Sequence, residues 1–220
     1  MVLVEDKIYH ETLDILRGKI ELLPLFKELK AFIQLQYGAT VYNFVFRKMK
    51  LKNPRKQYNL YILLATTEDF RKMFSGYNYS DSIQKEIANR FNELANQYNY
   101  SKPKLRQDVF VSFNDFSNEM KTDANWKAIK KASRFIQDKY ASYNVWGVHA
   151  AFGSSVVFFL SNEDLKKGSS IKREIEDDYF YILKKQDEFN LFSRSCFSLE
   201  FDSKENLDVN YEGNLFYYFR

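Results

Sequence analysis

The sequence predicts an α+β protein built from two related units. An internal repeat and, within each copy, a change of apolar period from helical to strand-like and back predict it. The first block is Phe32-Ile33-Gln34-Leu35-Gln36-Tyr37, answered by Phe135-Ile136-Gln137-Asp138-Lys139-Tyr140. The second runs from Leu63 to Lys72 and returns as Phe158 to Lys167, each carrying a Glu-Asp pair. Ser82-Ile83-Gln84-Lys85-Glu86-Ile87 returns as Ser170-Ile171-Lys172-Arg173-Glu174-Ile175, and Val109, Val111 and Phe113 return as Phe197, Leu199 and Phe201. The separations shorten from 103 to 95 to 88 residues, with the extra residues of the first copy around 50–56 and 74–81, where surface connections tolerate them.

The expected architecture is therefore two helix-strand-strand-helix-strand units forming a pseudo-dimer with mainly antiparallel sheets. Residues 1–122 form the first unit with an extra N-terminal helix, and residues 123–220 the second with an extra C-terminal strand. A duplicated unit can replace a homodimer, so a monomer is favoured.

Taken in order, Val4 to Leu16 reads as the leading helix, with Ile8, Leu13 and Leu16 near helical spacing and Gly18 as its stop. Pro24 suits a first helical turn, and Leu25, Leu29, Phe32 and Ile33 carry that helix to Tyr37 before Gly38. From Val41 the period is two, with Tyr42, Phe44 and Phe46 alternating with Asn43, Val45 and Arg47. Tyr58 to Ala65 is almost unbroken in its apolar run, which predicts a strand covered on both faces. Ser82 opens a helix with Ile83, Ile87, Phe91 and Leu94 on one side, and Arg106 to Phe113 is the third strand.

In the second copy Asp123 is the expected cap of a helix carrying Trp126, Ile129, Phe135 and Ile136. Val145 to Ala150 and Ser155 to Leu160 form a hairpin turning at Gly153, and the repeat makes Phe46 the first copy's equivalent of His149. Ser169 or Ser170 caps a helix from Ile171 to Phe189, and Cys196 to Phe201 is a strand. Leu215 to Phe219 adds another after the turn Glu212-Gly213-Asn214.

A chain of 220 residues buries about 70% of its unfolded surface, and 18% aromatic content suits half-buried sheets. No apolar run approaches the ~20 residues that span a bilayer, and Met1 to Lys7 lacks a basic segment followed by an apolar one. The expected location is the cytoplasm. A single cysteine, Cys196, excludes an internal disulfide and reads as an ordinary strand residue. A net charge of +4 is mild, but its distribution is uneven. Arg47, Lys48, Lys50, Lys52, Arg55 and Lys56 form a basic stretch, whereas Asp187, Glu188, Glu200, Asp202, Glu205, Asp208 and Glu212 make the tail acidic.

Short catalytic patterns are missing. Glu68-Asp69 and Glu163-Asp164 each follow a capping residue, where negative charge offsets the helix dipole, so capping explains both pairs. His10 and His149 have no cysteine or carboxylate at zinc-ligand spacing. Seven glycines supply no phosphate loop. Tyr77, Tyr79, Tyr98 and Tyr100 could stack on bases but read first as packing or partner-surface residues. No catalytic residue, metal or cofactor is expected; a hydrolase on Glu68, Asp69 or His149 is the enzymatic alternative.

The second copy's helix, its hairpin with the aromatic strand Val156-Val157-Phe158-Phe159-Leu160, its Ser-Ile helix from Ser170 and the stretch Cys196 to Asn214 together resemble the YezG-like bacterial immunity proteins. The resemblance implies a cytoplasmic antidote that binds and blocks a secreted toxin domain, often a nuclease. The partner would then meet the acidic, aromatic segment through Glu200, Asp202, Glu205, Asp208, Tyr211 and Glu212, since the local field of a patch governs encounter more than net charge does. The competing expectation is nucleic-acid binding by the basic hairpin Arg47 to Lys56, which would weaken steeply with salt.

Overall fold

The computed structural model describes residues 6–48, 58–100, 109–151 and 154–220. It is mixed α+β with mostly antiparallel strand pairing, and the chain divides into two compact units, Met1–Glu119 and Met120–Arg220. The expected turn at Gly153, the start of the leading helix at Val4, the strand start at Arg106 and the residues Lys50, Lys52, Arg55 and Lys56 lie outside the described residues.

The first unit contains α1 (Lys7–Leu16), α2 (Pro24–Tyr37), β1 (Val41–Lys48), β2 (Tyr58–Leu64), α3 (Thr67–Arg71), β3 (Phe74–Ser75), β4 (Asn78–Tyr79), α4 (Asp81–Gln97) and β5 (Val109–Asp115). Pro24 opens α2, and Gly38 closes it at φ 63°, donating its N–H to the Gln34 carbonyl. β2 is central, antiparallel to β1 and parallel to β5. One side of this sheet brings Phe44, Leu60, Ile62, Val111 and Phe113 against Leu29 and Ile33 of α2 and Ile87, Phe91 and Leu94 of α4. Burying each such side chain stabilises the fold by about 1.5–3 kcal/mol. The alternate β2 residues Tyr61 and Leu63 are buried too, and α1 packs on β1, where the Asn43 amide donates to the Thr12 hydroxyl at 2.9 Å. The apolar run of β2 is thus covered on both faces, as its composition predicts.

The insertion around 74–81 is the β3–β4 hairpin, turning through Gly76 at φ 65°. Phe74 packs against Phe70 and Tyr79 at 5.0 and 4.8 Å, and the Tyr79 hydroxyl donates to the Phe113 carbonyl at 3.1 Å.

Helix α5 (Phe116–Lys139) runs into the second unit, which continues with β6 (Val145–Ala151), β7 (Ser154–Phe159), α6 (Asn162–Lys167), α7 (Lys172–Lys184), β8 (Glu200–Ser203), α8 (Lys204–Tyr211) and α9 (Leu215–Tyr218). β7 is central, antiparallel to β6 and parallel to β8, the same order and senses as in the first unit. Leu63 pairs with Asn114 and Phe158 pairs with Asp202, which reproduces the sequence offsets of 95 and 88 in the register. Val157, Phe159 and Leu199 pack against Ala128, Ala132 and Ile136 of α5 and Ile175, Tyr179 and Leu183 of α7. On the other face Val156 and Phe158 pack against Leu207, Tyr211, Leu215, Tyr218 and Phe219.

Several expectations are corrected. Asp123 does not cap a helix: it lies inside α5 and bonds Lys127 one turn on at 2.6 Å. Asp115 starts that helix by accepting from the Ser117 hydroxyl at 2.6 Å and the Asn118 N–H at 3.2 Å. Ser169 and Ser170 fall in a 3₁₀ turn, Gly168–Ile171, ahead of α7. That helix stops at Lys184, short of Phe189, because the Asp187 carboxylate accepts the Leu191 and Phe192 N–H groups and folds the chain back. Cys196 is exposed in a second 3₁₀ turn, Arg194–Cys196, and the strand is only Glu200–Ser203. No strand forms at Leu215 to Phe219; the segment is the helical turn α9, with the Asn214 side chain accepting from the Phe216 N–H. Val45, not Phe46, occupies the position of His149, since Val45 pairs with Tyr61 as His149 pairs with Val156. Counted from the repeated Tyr37 and Tyr140, one more residue precedes β6 than precedes β1, in the segment that holds the turn Ala141–Tyr143, and this shifts the register.

Candidate protein-binding surface

β8 and α8 carry five of the six acidic and aromatic residues that the sequence nominates, and the sixth, Glu212, follows α8 as its C-cap. Ser203 caps α8 by accepting from the Asn206 N–H at 2.9 Å, and Lys204 pairs with Asp208 one turn on. Asp202 points inward as an anchor, accepting from the Asn206 amide at 2.7 Å and the Tyr218 hydroxyl at 2.8 Å. Burial and the facing Asp202 carboxylate both push the Tyr218 hydroxyl well above the ordinary tyrosine range. Glu205 accepts the Asn162 N–H at 2.9 Å at the start of α6, where a carboxylate offsets the helix dipole. Tyr211 packs edge-on against Tyr218 at 5.0 Å.

Glu200, Glu205, Asp208 and Glu212 are exposed, but Glu205, like the half-buried Asp202 and Tyr211, also holds the tail in place. Glu212 ends α8 in the left-handed region at φ 54°. Among these carboxylates stand apolar residues that sequence reading did not nominate: Val209 is 74% exposed, and Phe216 and Tyr217 are each 51% exposed. Leu207, Val209 and Tyr211 alternate in sequence like a strand, which hid the outward position of Val209 on a helix.

The basic alternative is represented only by Arg47 and Lys48 at the end of β1, with the Arg47 guanidinium 5.6 Å from the Tyr61 ring centre. The four candidate stacking tyrosines do not share a face. Tyr79 is tied to the Phe113 carbonyl, the Tyr98 hydroxyl bonds Glu28, and Tyr100 packs against Phe26 and Phe91, whereas Tyr77 is fully exposed at the hairpin tip.

Both Glu-Asp pairs lie in the first turn of a capped helix. The Thr66 hydroxyl accepts the Asp69 N–H at 3.0 Å, and Ser161 and Asp164 form a reciprocal capping box. The Ser161 hydroxyl, then the Asn144 amide, hold the Asp164 carboxyl below its usual range. His10 is exposed beside Tyr9. His149 stacks on Trp146 at 4.8 Å, and burial lowers its imidazole below the ordinary range. The Cys196 thiol is lowered by hydrogen bonds from Ser193 and Ser195. Among the described residues no group of three or more His, Cys, Asp or Glu side chains is placed to hold a metal ion, and no helix is long and apolar enough to cross a membrane.

No protein-family model, no curated protein and no solved structure matches this chain.

Proposed function

We propose that this protein is a non-catalytic cytoplasmic antidote that binds and neutralises a toxin domain, with the partner seated on the outward surface of α8 and α9. One observation carries the reading: Val209, Phe216 and Tyr217 are half or more exposed on two short helices that also present Asp208 and Glu212. Apolar side chains left in water within a charged surrounding are the usual composition of a binding face, the apolar centre supplying affinity and the charges register and approach rate. Carboxylates suit a cationic partner such as a nuclease domain, whose own substrate is an anion. The sequence repeat and the matching strand orders support a pseudo-dimer in which the second unit stands in for a second subunit.

The test is a pulldown with the full chain as bait, beside Glu200→Lys, Asp208→Lys and Glu212→Lys combined. These positions avoid the anchors Asp202 and Glu205, so the variant keeps its circular dichroism. Recovery of a toxin domain by the native chain, weakened by the triple reversal, is expected. Undiminished recovery by the variant, or recovery only of nucleic acid that washes off with salt, would contradict the proposal.

A further inference from the structure

The second unit has a cleft of about 350 Å³ between α5, β6 and α9, which shares Phe216 with the proposed protein interface and otherwise lies apart from Val209, Asp208 and Glu212 in its lining. Trp126 of α5, Phe216 of α9 and Phe219 just after it line the cleft, and Ala150 and Ala151 of β6 leave room beside them. Trp126 is 55% exposed, although Ala124 and Ala128 on the same helix are buried. Among the described residues of the lining His149 is the one titratable side chain, and none is a carboxylate, lysine or arginine. We infer that this cleft binds a small neutral aromatic molecule carrying one hydrogen-bonding group, its ring between Trp126 and Phe216 and its polar group on the His149 imidazole.

Size, charge and wall chemistry select that class. The volume lies at the lower end of small-molecule sites, matching one or two rings and not a peptide helix. The lining gives an anion or cation no ionic side chain to exchange for its hydration, and the nearby Arg220 guanidinium is already stacked on the Phe216 ring, 4.6 Å from its centre. Aromatic walls favour a ring through offset or edge contacts beyond plain apolar burial. The stacked Trp146 and the nearby Phe158 hold the imidazole, so the polar contact is oriented before a ligand arrives. A side chain at Gly147 would press on it: a Cβ there would sit 3.2 Å from Nε2.

The test uses p-cresol as probe, with toluene and 4-methylbenzoate as apolar and anionic controls, and follows the two indole N–H cross-peaks of the ¹⁵N-labelled full chain. Expected are a saturable p-cresol shift at Trp126, with Trp146 responding at the same midpoint, and weaker binding of both controls. Trp126→Ala, read at Trp146, and Phe216→Ala, read at both indoles, should each weaken p-cresol by roughly tenfold. Tyr217→Ala, which removes an equally exposed ring outside the lining, should not. His149→Phe should bring p-cresol to the toluene value, a loss of about fivefold. Absence of any saturable shift, an unchanged midpoint in both wall variants, or 4-methylbenzoate binding as tightly as p-cresol would overturn the inference. Each outcome is read without a protein partner, so failure here and failure of the antidote reading are separate results.

Discussion

The Tyr218 hydroxyl donates to the Asp202 carboxylate at 2.8 Å and ties α9 back to the strand that precedes α8. The bond closes a strap over Val156 and Phe158, with Leu207, Tyr211, Leu215 and Phe219 packed beneath it. Tyr218→Phe keeps the ring and removes the bond to a charged acceptor, so stability should fall by about 1.5–3 kcal/mol in urea unfolding. Glu200→Lys, at an exposed position of β8, should change it by no more than about 0.5 kcal/mol.

Thr12 occupies the corresponding pinning role in the first unit. Its buried hydroxyl accepts from Asn43 at 2.9 Å and donates to the Ile8 carbonyl at 2.7 Å. Thr12→Val keeps the shape and leaves the Asn43 amide without that acceptor, at a cost of about 1–3 kcal/mol in chemical denaturation. Thr12→Ser should recover most of the loss.

Gly168 tests how tightly α6 is joined to the sheet. A Cβ at this position would stand 2.4 Å from Cε1 of Phe159, a ring with no exposed surface. Gly168→Ala should destabilise the protein by about 1–3 kcal/mol through overpacking, measured as a lower urea midpoint at constant slope.

His149 gives a pH dependence of definite sign. Burial lowers its pKa below the usual 6.5, so the unfolded chain takes up the proton first as pH falls. Its contribution is fully present above pH 6.5 and is lost as pH falls through the lower folded value. Melting curves should therefore show His149→Gln losing less stability than the native chain on acidification below that pH.

Much of the fold was legible because packing and local preference agree. The Tyr58 to Ala65 run reads as a strand covered twice, and α1 on one sheet and α8–α9 on the other show what covers the second face. The Glu-Asp pairs read as first-turn carboxylates behind a capping residue, and Thr66 and Ser161 are those caps. Legibility failed where local and tertiary signals differ. Leu207, Val209 and Tyr211 have a strand's period, yet the Ser203 cap, the Asp202–Asn206 bond and the Lys204–Asp208 pair set a helix. That helix separates the outward carboxylates from Asp202, whose inward role is invisible in a list of acidic residues. The aromatic cleft was illegible for a related reason: Trp126, His149 and Phe216 lie far apart in sequence and meet only through the register of β6 and the turn into α9.

The most direct measurement is growth rescue, in which this chain is produced together with a candidate toxin domain recovered by the pulldown. The account predicts that the native chain restores growth and that Glu200→Lys, Asp208→Lys and Glu212→Lys combined, folded by circular dichroism, does not. Equal rescue by both would contradict the acidic interface, and no rescue by the native chain would contradict the antidote function itself.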